Sequence, residues 1–192
     1  MKNAILVPGR PDKEEHYDPE SPSNSENHWF SWLKRQLILK DIHAVSIEPP
    51  FPFRPRYGEW KKEFERFDIT PETILVGHSC GGGFLIRYLS ENKDVVAGKV
   101  VLIAPWTNPL DYAESDTADF FDFDIDKDFP KRTAGLTVFM SSDDDPSVIR
   151  TVDILKISVP GFELKKFIDK GHFTLRSLGT PEFPELLEVL QV

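Results

Sequence analysis

A serine, a run of aspartates and a histidine stand far apart in this chain, in an order that suits one chemistry. Ser79 is centred in Gly77-His78-Ser79-Cys80-Gly81, directly after an apolar run. The pattern is typical of a tight strand-to-helix turn that holds a hydroxyl clear of a sheet, and its glycines avoid clashes in the crowded backbone. A hydroxyl attacks an acyl carbon once an imidazole takes its proton and a carboxylate orients the imidazole. The chain therefore predicts nucleophilic acyl transfer at Ser79.

His172 is the histidine whose position best suits the base. It follows a late apolar run and is flanked by a glycine, whereas His16 lies in the first loop and His43 starts a strand. His28 opens a helix, and His78 is held inside the turn, where packing or a hydrogen bond is its expected role. The chain order of serine, acid and histidine also places the base late in the sequence. These positions predict His172 as the base.

The acid is expected in Asp143-Asp144-Asp145-Pro146, at the end of the fifth apolar run. We assign it to Asp145, because this residue precedes the proline and should lie at the turn facing the sheet edge. Asp144 is the alternative. Asp143 could instead accept backbone N–H groups and shape the turn.

Two backbone N–H groups are needed to stabilise the negative charge that develops on an attacked carbonyl. One is expected from Cys80, at the start of the helix after the serine, where the helix dipole also favours negative charge. The other is expected from the loop Pro8-Gly9-Arg10 after the first strand. Proline has no N–H, so the assignment goes to Arg10. Cys80 is otherwise predicted to be a packing residue, because the glycine spacing centres on Ser79.

Short apolar runs alternate with helical patterns along the chain. The runs are rich in valine, isoleucine and leucine and show little alternation, as in strands buried on both faces of a parallel sheet. Strand followed by helix, repeated, predicts an α/β fold in a single domain over residues 1–192. The strands are predicted at 3–7, 43–47, 73–77, 99–103, 136–140 and 162–168, and the helices at 28–40, 56–67, 80–91, 147–157 and 181–191.

Two loop insertions, at 9–27 and 105–133, interrupt this alternation. Both would leave the carboxyl ends of strands, where ligands bind in this architecture. Residues 111–130 hold eight acidic residues and one basic residue, and near a pocket they would repel anionic substrates. We interpret the segment as a solvated acidic loop and predict no metal in it, because Lys127 and Thr133 stand where a calcium loop requires glycine and glutamate.

Bulk composition narrows the classes of function. Hydrophobic residues make up 40% of the 192 residues and charged residues 29%, as in an ordinary globular protein. The net charge of −9 argues against nucleic acid as a partner, and no apolar run approaches the roughly 20 residues that cross a bilayer. The first residues are expected to form a strand rather than a secretory signal. The single cysteine excludes an internal disulfide framework, which suits a cytoplasmic location.

Aromatic residues could line an apolar acyl pocket. Trp106 directly follows the fourth predicted strand and Trp29 follows the first loop, so both could reach the site. The alternative for such residues is packing between helix and sheet. A modest aromatic pocket would favour short or medium apolar acyl groups.

The chain resembles the small serine hydrolases of the retinoblastoma-binding-protein-nine type, a minimal branch of the α/β-hydrolase superfamily. The resemblance covers nearly the whole length and implies a three-layer sandwich, with a six-stranded, mostly parallel sheet flanked by helices. It maps the nucleophile to Ser79, the base to His172 and the acid, the aspartate directly before proline, to Asp145. It rests on Leu6-Val7-Pro8-Gly9, Trp29-x-x-Trp32, Gly77-His78-Ser79-Cys80-Gly81-Gly82, Ser141-Ser142-Asp143-Asp144-Asp145-Pro146 and Gly171-His172-Phe173.

These features together predict a serine hydrolase that cleaves an ester-like bond of a small molecule without a metal or organic cofactor. The alternative is a protein-interaction module that keeps the fold with weak or vestigial activity, since a fold alone does not fix a function. An acidic, aromatic surface around 105–133 would favour that alternative by offering a docking surface for a basic protein partner.

Overall fold

Six parallel strands build the central sheet of the protein. The computed structural model describes residues 2–107 and 118–190. The strands lie in the order β2-β1-β3-β4-β5-β6, and each described pair of neighbours is parallel. The strands are β1 (Asn3–Val7), β2 (His43–Ser46), β3 (Ile74–His78), β4 (Ala97–Ile103), β5 (Thr133–Ser141) and β6 (Glu163–Phe167).

Helices cover both faces of this sheet, which confirms the predicted three-layer α/β class. None of the described helices combines the length and the hydropathy that spanning a membrane requires. The helices are α1 (Lys13–Tyr17), α2 (Phe30–Ile38), α3 (Tyr57–Phe64), α4 (Cys80–Glu91), α5 (Ala118–Phe121), α6 (Pro146–Ser158), α7 (Leu175–Leu178) and α8 (Pro184–Leu190).

Alternating side chains of the strands pack into two separate cores. In β1, Ile5 and Val7 join the core under α3 and α4, while Ala4 and Leu6 join the core under α2 and α8. Successive side chains of a strand point to opposite faces, so a strand inside such a sheet must be apolar at nearly every position. This requirement explains the unbroken apolar runs in the sequence.

The predicted loop insertions contain short helices. Residues 9–27 include α1 and a 3₁₀ turn at Asn24–Glu26, and the helix predicted from residue 28 begins at Phe30. The described part of 105–133 includes α5 and a 3₁₀ turn at Phe129–Arg132. Residues 111–117 of the acidic segment lie outside the described residues, as do the last two residues of the chain.

The chain leaves β1 and β3 toward opposite faces of the sheet. After β1 it forms α2 on one face, and after β3 it forms α4 on the other. A parallel sheet opens a crevice at the carboxyl ends of its strands where two neighbouring connections diverge in this way. The crevice between β1 and β3 is therefore the place at which a ligand site is expected.

Candidate functional site

The turn between β3 and α4 presents Ser79 in a strained conformation. Its φ is +53°, a value that non-glycine residues rarely adopt. A Cβ on Gly77 would lie 2.7 Å from the carbonyl oxygen of Gly81, and a Cβ on Gly81 would lie 2.2 Å from that of Val7. Both positions therefore exclude any side chain, and the steric reason for the glycine spacing is confirmed.

A continuous chain of hydrogen bonds runs from Ser79 through His172 to Asp144. The Oγ of Ser79 lies 2.8 Å from Nε2 of His172. On the other side of the ring, Nδ1 lies 2.9 Å from Oδ1 and 3.1 Å from Oδ2 of Asp144. A carboxylate only accepts, so Nδ1 carries the proton and Nε2 offers its lone pair to the serine hydroxyl. The predicted proximity of Ser79 and His172 is confirmed.

The assignment of the imidazole's carboxylate partner to Asp145 is wrong. Oδ1 of Asp145 accepts the backbone N–H of Ser147 at 2.8 Å and its hydroxyl at 2.6 Å. The Ser147 hydroxyl bond, followed by the Ser147 N–H bond, lowers the pKa of this carboxyl. With Pro146 in the first position of α6, Asp145 is the residue that caps the helix, and its side chain turns to the first helical turn.

Asp144, the alternative, faces the histidine with a side chain that is 2% exposed. Its Oδ1 also accepts the backbone N–H of Asp145 at 2.7 Å, which holds the carboxylate in place. Asp143 accepts the backbone N–H of Gly171 at 3.0 Å and the hydroxyl of Ser141, and so ties the turn to the loop that carries the histidine. The three aspartates thus have different roles: Asp143 bonds to the loop of His172, Asp144 bonds to the imidazole, and Asp145 caps α6.

His78 stabilises the loop that carries His172 through a hydrogen bond. Its Nε2 lies 2.8 Å from the backbone carbonyl oxygen of His172, to which it donates. The ring is 2% exposed, and burial, followed by the nearby His172 and His28, lowers its pKa well below the usual value. Its Nδ1 has no hydrogen-bond partner in the described part of the chain. The interpretation of His78 as a packing and hydrogen-bonding residue is confirmed.

The loop after β1 runs directly beside the nucleophile. A Cβ on Gly9 would lie 3.1 Å from Cβ of Ser79, so only glycine passes at this distance without displacement. The amide of Asn24 donates to the carbonyl oxygen of Gly9 at 2.8 Å. Because C=O and N–H of a trans peptide point in opposite directions, this bond turns the N–H of Arg10 away from Asn24.

Cys80 is fully buried directly after the nucleophile. Burial raises the pKa of its thiol, so the thiol stays protonated and is a poor nucleophile. The backbone N–H of Cys80 belongs to the first turn of α4, where an amide has no acceptor within the helix. These facts support the interpretation of the side chain as a packing group.

A cleft of about 530 Å³ opens over Ser79, within the range of about 300–1,000 Å³ that is usual for small-molecule sites. One wall comes from the chain between β1 and α2, and the other follows His172. Most of the lining side chains are polar. The cleft is lined by Pro8, Gly9, Arg10, Pro11, Glu15, Asn24, Asn27, His28, Phe30, His78, Ser79, His172, Thr174, Leu175 and Arg176.

The prediction that Trp29 and Trp106 line the pocket is wrong. Trp29 is fully buried, and its indole N–H donates to the carbonyl oxygen of Phe173 at 3.0 Å. The indole N–H of Trp106 donates to the hydroxyl of Ser147 at 2.9 Å, and its ring packs edge-on against Phe121. Both indole N–H groups thus bond within the protein, and neither tryptophan is among the residues that line the cleft, although the Trp106 ring centroid lies 5.9 Å from the guanidinium carbon of Arg10, which does line it.

His28 is a cleft residue that the sequence did not reveal. Its φ is +57°, its Nδ1 accepts the backbone N–H of Leu175 at 3.3 Å, and its ring meets that of His78 edge-on. Burial, followed by the charge of His172, lowers the pKa of His28 to about 4. The imidazole is therefore neutral at neutral pH. No sequence signal marks this role, because it depends on a left-handed residue just before α2.

Acid is expected to weaken the fold through His28. The unfolded side chain titrates at about 6.5, so between pH 6.5 and 4 the unfolded chain binds a proton that the folded chain does not. The free energy of unfolding therefore falls as pH falls through this window, by up to about 3 kcal/mol from His28 alone. Buried His78 contributes with the same sign.

Urea unfolding at pH 7 and pH 4.5 measures this effect. His28→Gln is expected to lose a large part of the pH dependence, while His43→Gln, a change at an exposed histidine, should retain it. Equal pH dependence in the wild type and His28→Gln would contradict the argument.

Within residues 2–107 and 118–190, no group of three or more His, Cys, Asp or Glu side chains is arranged to hold a metal ion. Two of the described aspartates of the acidic segment form ion pairs with nearby basic residues. Asp126 pairs with Arg132 at 2.9 Å, and Asp128 pairs with Lys131 at 2.7 Å. None of the described acidic residues between 118 and 130 lines the cleft over Ser79.

Comparison with known proteins finds relatives among hydrolases. A family model described as serine hydrolase matches residues 21–192. A stretch of 93 residues is 35% identical to YdeN of Bacillus subtilis (strain 168), a protein named as a hydrolase without a stated substrate. That stretch covers 46% of this chain and 48% of YdeN, so the match spans about half of the relative's length.

Two crystal structures share the fold over the full length of this chain. The ydeN gene product of B. subtilis has a TM-score of 0.79 at 22% identity and is covered to 97%. A YdeN-like hydrolase from Pectobacterium atrosepticum SCRI1043 has a TM-score of 0.65 at 21% identity and is covered to 90%. At these identities the likeness establishes the fold, a parallel sheet flanked by helices as in α/β hydrolases.

Proposed function

This chain belongs to the serine hydrolase family, and we propose that it hydrolyses a carboxylic ester or thioester of a small molecule through an acyl-enzyme on Ser79. The observation that carries the proposal is the unbroken hydrogen-bond chain from Ser79 through His172 to Asp144. The three groups required for acyl transfer to a serine are in contact: Ser79 and His172 line one cleft, and the nearly buried Asp144 lies behind the imidazole.

The first half of the reaction forms the acyl-enzyme. Ser79 Oγ attacks the acyl carbon while Nε2 of His172 takes the hydroxyl proton. Asp144 stabilises the resulting imidazolium through Nδ1 and stays ionised. The tetrahedral intermediate then collapses, the bond to the leaving group breaks, and His172 returns the proton to the departing oxygen or sulfur.

The second half regenerates the serine. A water molecule gives a proton to His172 and attacks the acyl carbon, and collapse of this second intermediate releases the acid and returns the proton to Ser79. The polar, open cleft supports this half, because water must reach the acyl carbon from the side on which the leaving group departed.

The negative charge of each intermediate would be held by the N–H groups of Cys80 and Arg10. The N–H of Cys80 lies at the start of α4, next to the nucleophile, where the helix dipole adds to the stabilisation. The close passage of Gly9 beside Ser79 and the bond from Asn24 to Gly9 support Arg10 as the second donor. Loss of one such donor typically costs about 10²–10³ in rate.

Within the serine hydrolase family, we propose that the chain is related to hydrolases of the retinoblastoma-binding-protein-nine type. We also propose that residues 1–192 form one domain. The sequence motifs around Ser79 and His172 support the relationship. The acid departs from what that resemblance implies, because Asp144 rather than the aspartate directly before proline faces the imidazole.

The proposal is tested by a fluorophosphonate probe together with turnover of 4-nitrophenyl acetate, 4-nitrophenyl butyrate and a matching thioester. We expect a single adduct on the peptide that contains Ser79, located by mass spectrometry, and release of 4-nitrophenol that the adduct abolishes. No turnover of any of the three substrates and no adduct at Ser79 would refute the enzyme and favour an interaction module on this fold.

A further inference from the structure

The described lining of the cleft over Ser79 contains more basic than acidic side chains, in a protein whose net charge is −9. Two arginines, Arg10 and Arg176, line it together with one acidic residue, Glu15. The carboxylate of Glu15 accepts the side-chain amide of Asn27 at 3.0 Å, within its own wall of the cleft. Arg176 therefore adds positive charge to the wall of the cleft that follows His172, and positive charge at a cleft attracts anions.

Arg176 lines the cleft without a side-chain partner among residues 2–107 and 118–190. It is exposed, and its guanidinium makes no hydrogen bond or ion pair within the part of the chain that the structure describes. An arginine presents a planar set of donors that fits a carboxylate with two parallel hydrogen bonds. Its position on a cleft wall leaves these donors available to a bound molecule.

A short, fixed segment joins Arg176 to the base. Thr174 caps α7: its hydroxyl accepts the N–H of Ser177 at 3.3 Å, and its own N–H donates to the hydroxyl of Ser177 at 2.9 Å. Gly171, with a φ of +48°, packs against Ser177, and a Cβ there would lie 2.9 Å from Cβ of Ser177. This packing fixes where α7 lies relative to His172, so the backbone that carries Arg176 is held at a set place near the reacting groups.

The opposite wall adds neutral donors. The side chain of His28 accepts from Leu175 through Nδ1, so its remaining proton is on Nε2 and can be donated to a ligand. Asn24 and Asn27 line the same wall. Polar groups around a cleft favour a substrate that satisfies them, because a purely apolar ligand would leave them without water and without partners.

We propose that the substrates of this site are small esters or thioesters that carry a carboxylate, which Arg176 binds while the ester carbonyl lies at Ser79. This assignment rests on the proposed function and deepens it by naming a substrate class. It replaces the expectation of a short apolar acyl group, which depended on two tryptophans that do not line the cleft.

The test uses pairs of esters that differ only in charge. On the acyl side the pair is mono-4-nitrophenyl adipate and its methyl ester. On the leaving-group side the pair is 4-acetoxybenzoate and methyl 4-acetoxybenzoate. For these two esters the enzymatic rate is divided by the rate of hydrolysis by hydroxide, which corrects for their different intrinsic reactivity. In at least one pair, we expect the anionic member to have a kcat/KM about tenfold higher at low salt, mainly through KM, and the preference to shrink as salt is added.

Arg176→Gln is expected to bring the ratio of kcat/KM between the anionic and the neutral ester close to one. Arg176→Lys should retain part of the preference for the anionic ester, because lysine keeps the charge without the planar donors. Arg35→Gln is the matched control, since it removes the same charge from an exposed arginine of α2 that does not line the cleft, and it should leave the ratio unchanged. Equal kcat/KM within both pairs, or an equal loss for both members of a pair in Arg176→Gln, would overturn the assignment. Failure of the proposed function would look different, with no turnover of any ester and no adduct on Ser79.

Discussion

Ser79→Ala is expected to lower kcat for 4-nitrophenyl butyrate by about 10⁶-fold, the loss seen when a catalytic serine of this kind is removed. Without the hydroxyl, His172 has no nucleophile to activate, and only binding and stabilisation of negative charge remain. Alanine at this position keeps the φ of +53° at a similar steric cost, so the turn and the fold should persist.

The measurements are steady-state hydrolysis, fluorophosphonate labelling and thermal unfolding. The variant should unfold near the temperature of the wild type and take up no label. Ser142→Ala serves as the control, since it removes an exposed hydroxyl from the loop after β5 and should leave turnover intact. Labelling or turnover that persists in a folded Ser79→Ala protein would show that another residue is the nucleophile.

Asp144→Asn is expected to lower kcat by about 10⁴-fold with little change in KM. An asparagine amide in place of the carboxylate can present its N–H₂ to Nδ1 of His172, which would favour the tautomer whose Nε2 carries the proton. That tautomer cannot accept the proton of Ser79. The lost carboxylate also no longer stabilises the imidazolium.

Asp145→Asn is the matched comparison, one residue along the chain. Asparagine caps helices about as well as aspartate, so the cap on α6 should survive and activity should stay within about tenfold of the wild type. The two variants therefore separate the roles that the structure gives to adjacent carboxylates. A large loss in Asp145→Asn together with a small loss in Asp144→Asn would reverse the assignment.

The helices and strands, and the site residues Ser79 and His172, were predictable from the sequence for physical reasons. Strands buried on both faces must be apolar throughout, so their runs are visible without alternation. The turn at Ser79 needs glycine at positions 77 and 81, because a Cβ atom at either position would overlap backbone atoms. His172 is marked by its place after the last strand.

The acid was not predictable from chain order, because three consecutive aspartates occupy one turn and point in different directions. A better signal was present. Proline in the first position of a helix marks the preceding residue as the cap, and this argues that Asp145 faces α6 rather than the imidazole. The aspartate before the cap was then the candidate to face His172.

The walls of the cleft depend on contacts between distant parts of the chain. Asn24 reaches back to Gly9, and His28 reaches forward to Leu175, a residue 147 positions later. Such contacts leave no periodic pattern in the sequence. Trp29 was expected at the site because it follows the first loop, but its indole turns inward to the carbonyl of Phe173.

The hydrogen bond from His78 to the carbonyl of His172 joins the centre of the sheet to its margin. Among the strands that the structure describes, β3 before Ser79 has a neighbour on each side, whereas β6 before His172 has one neighbour. The residue that precedes Ser79 thus anchors the loop that carries His172. Substitutions along the outer strand can therefore change the surroundings of His172, while the bond from His78 still ties its backbone to the interior of the sheet.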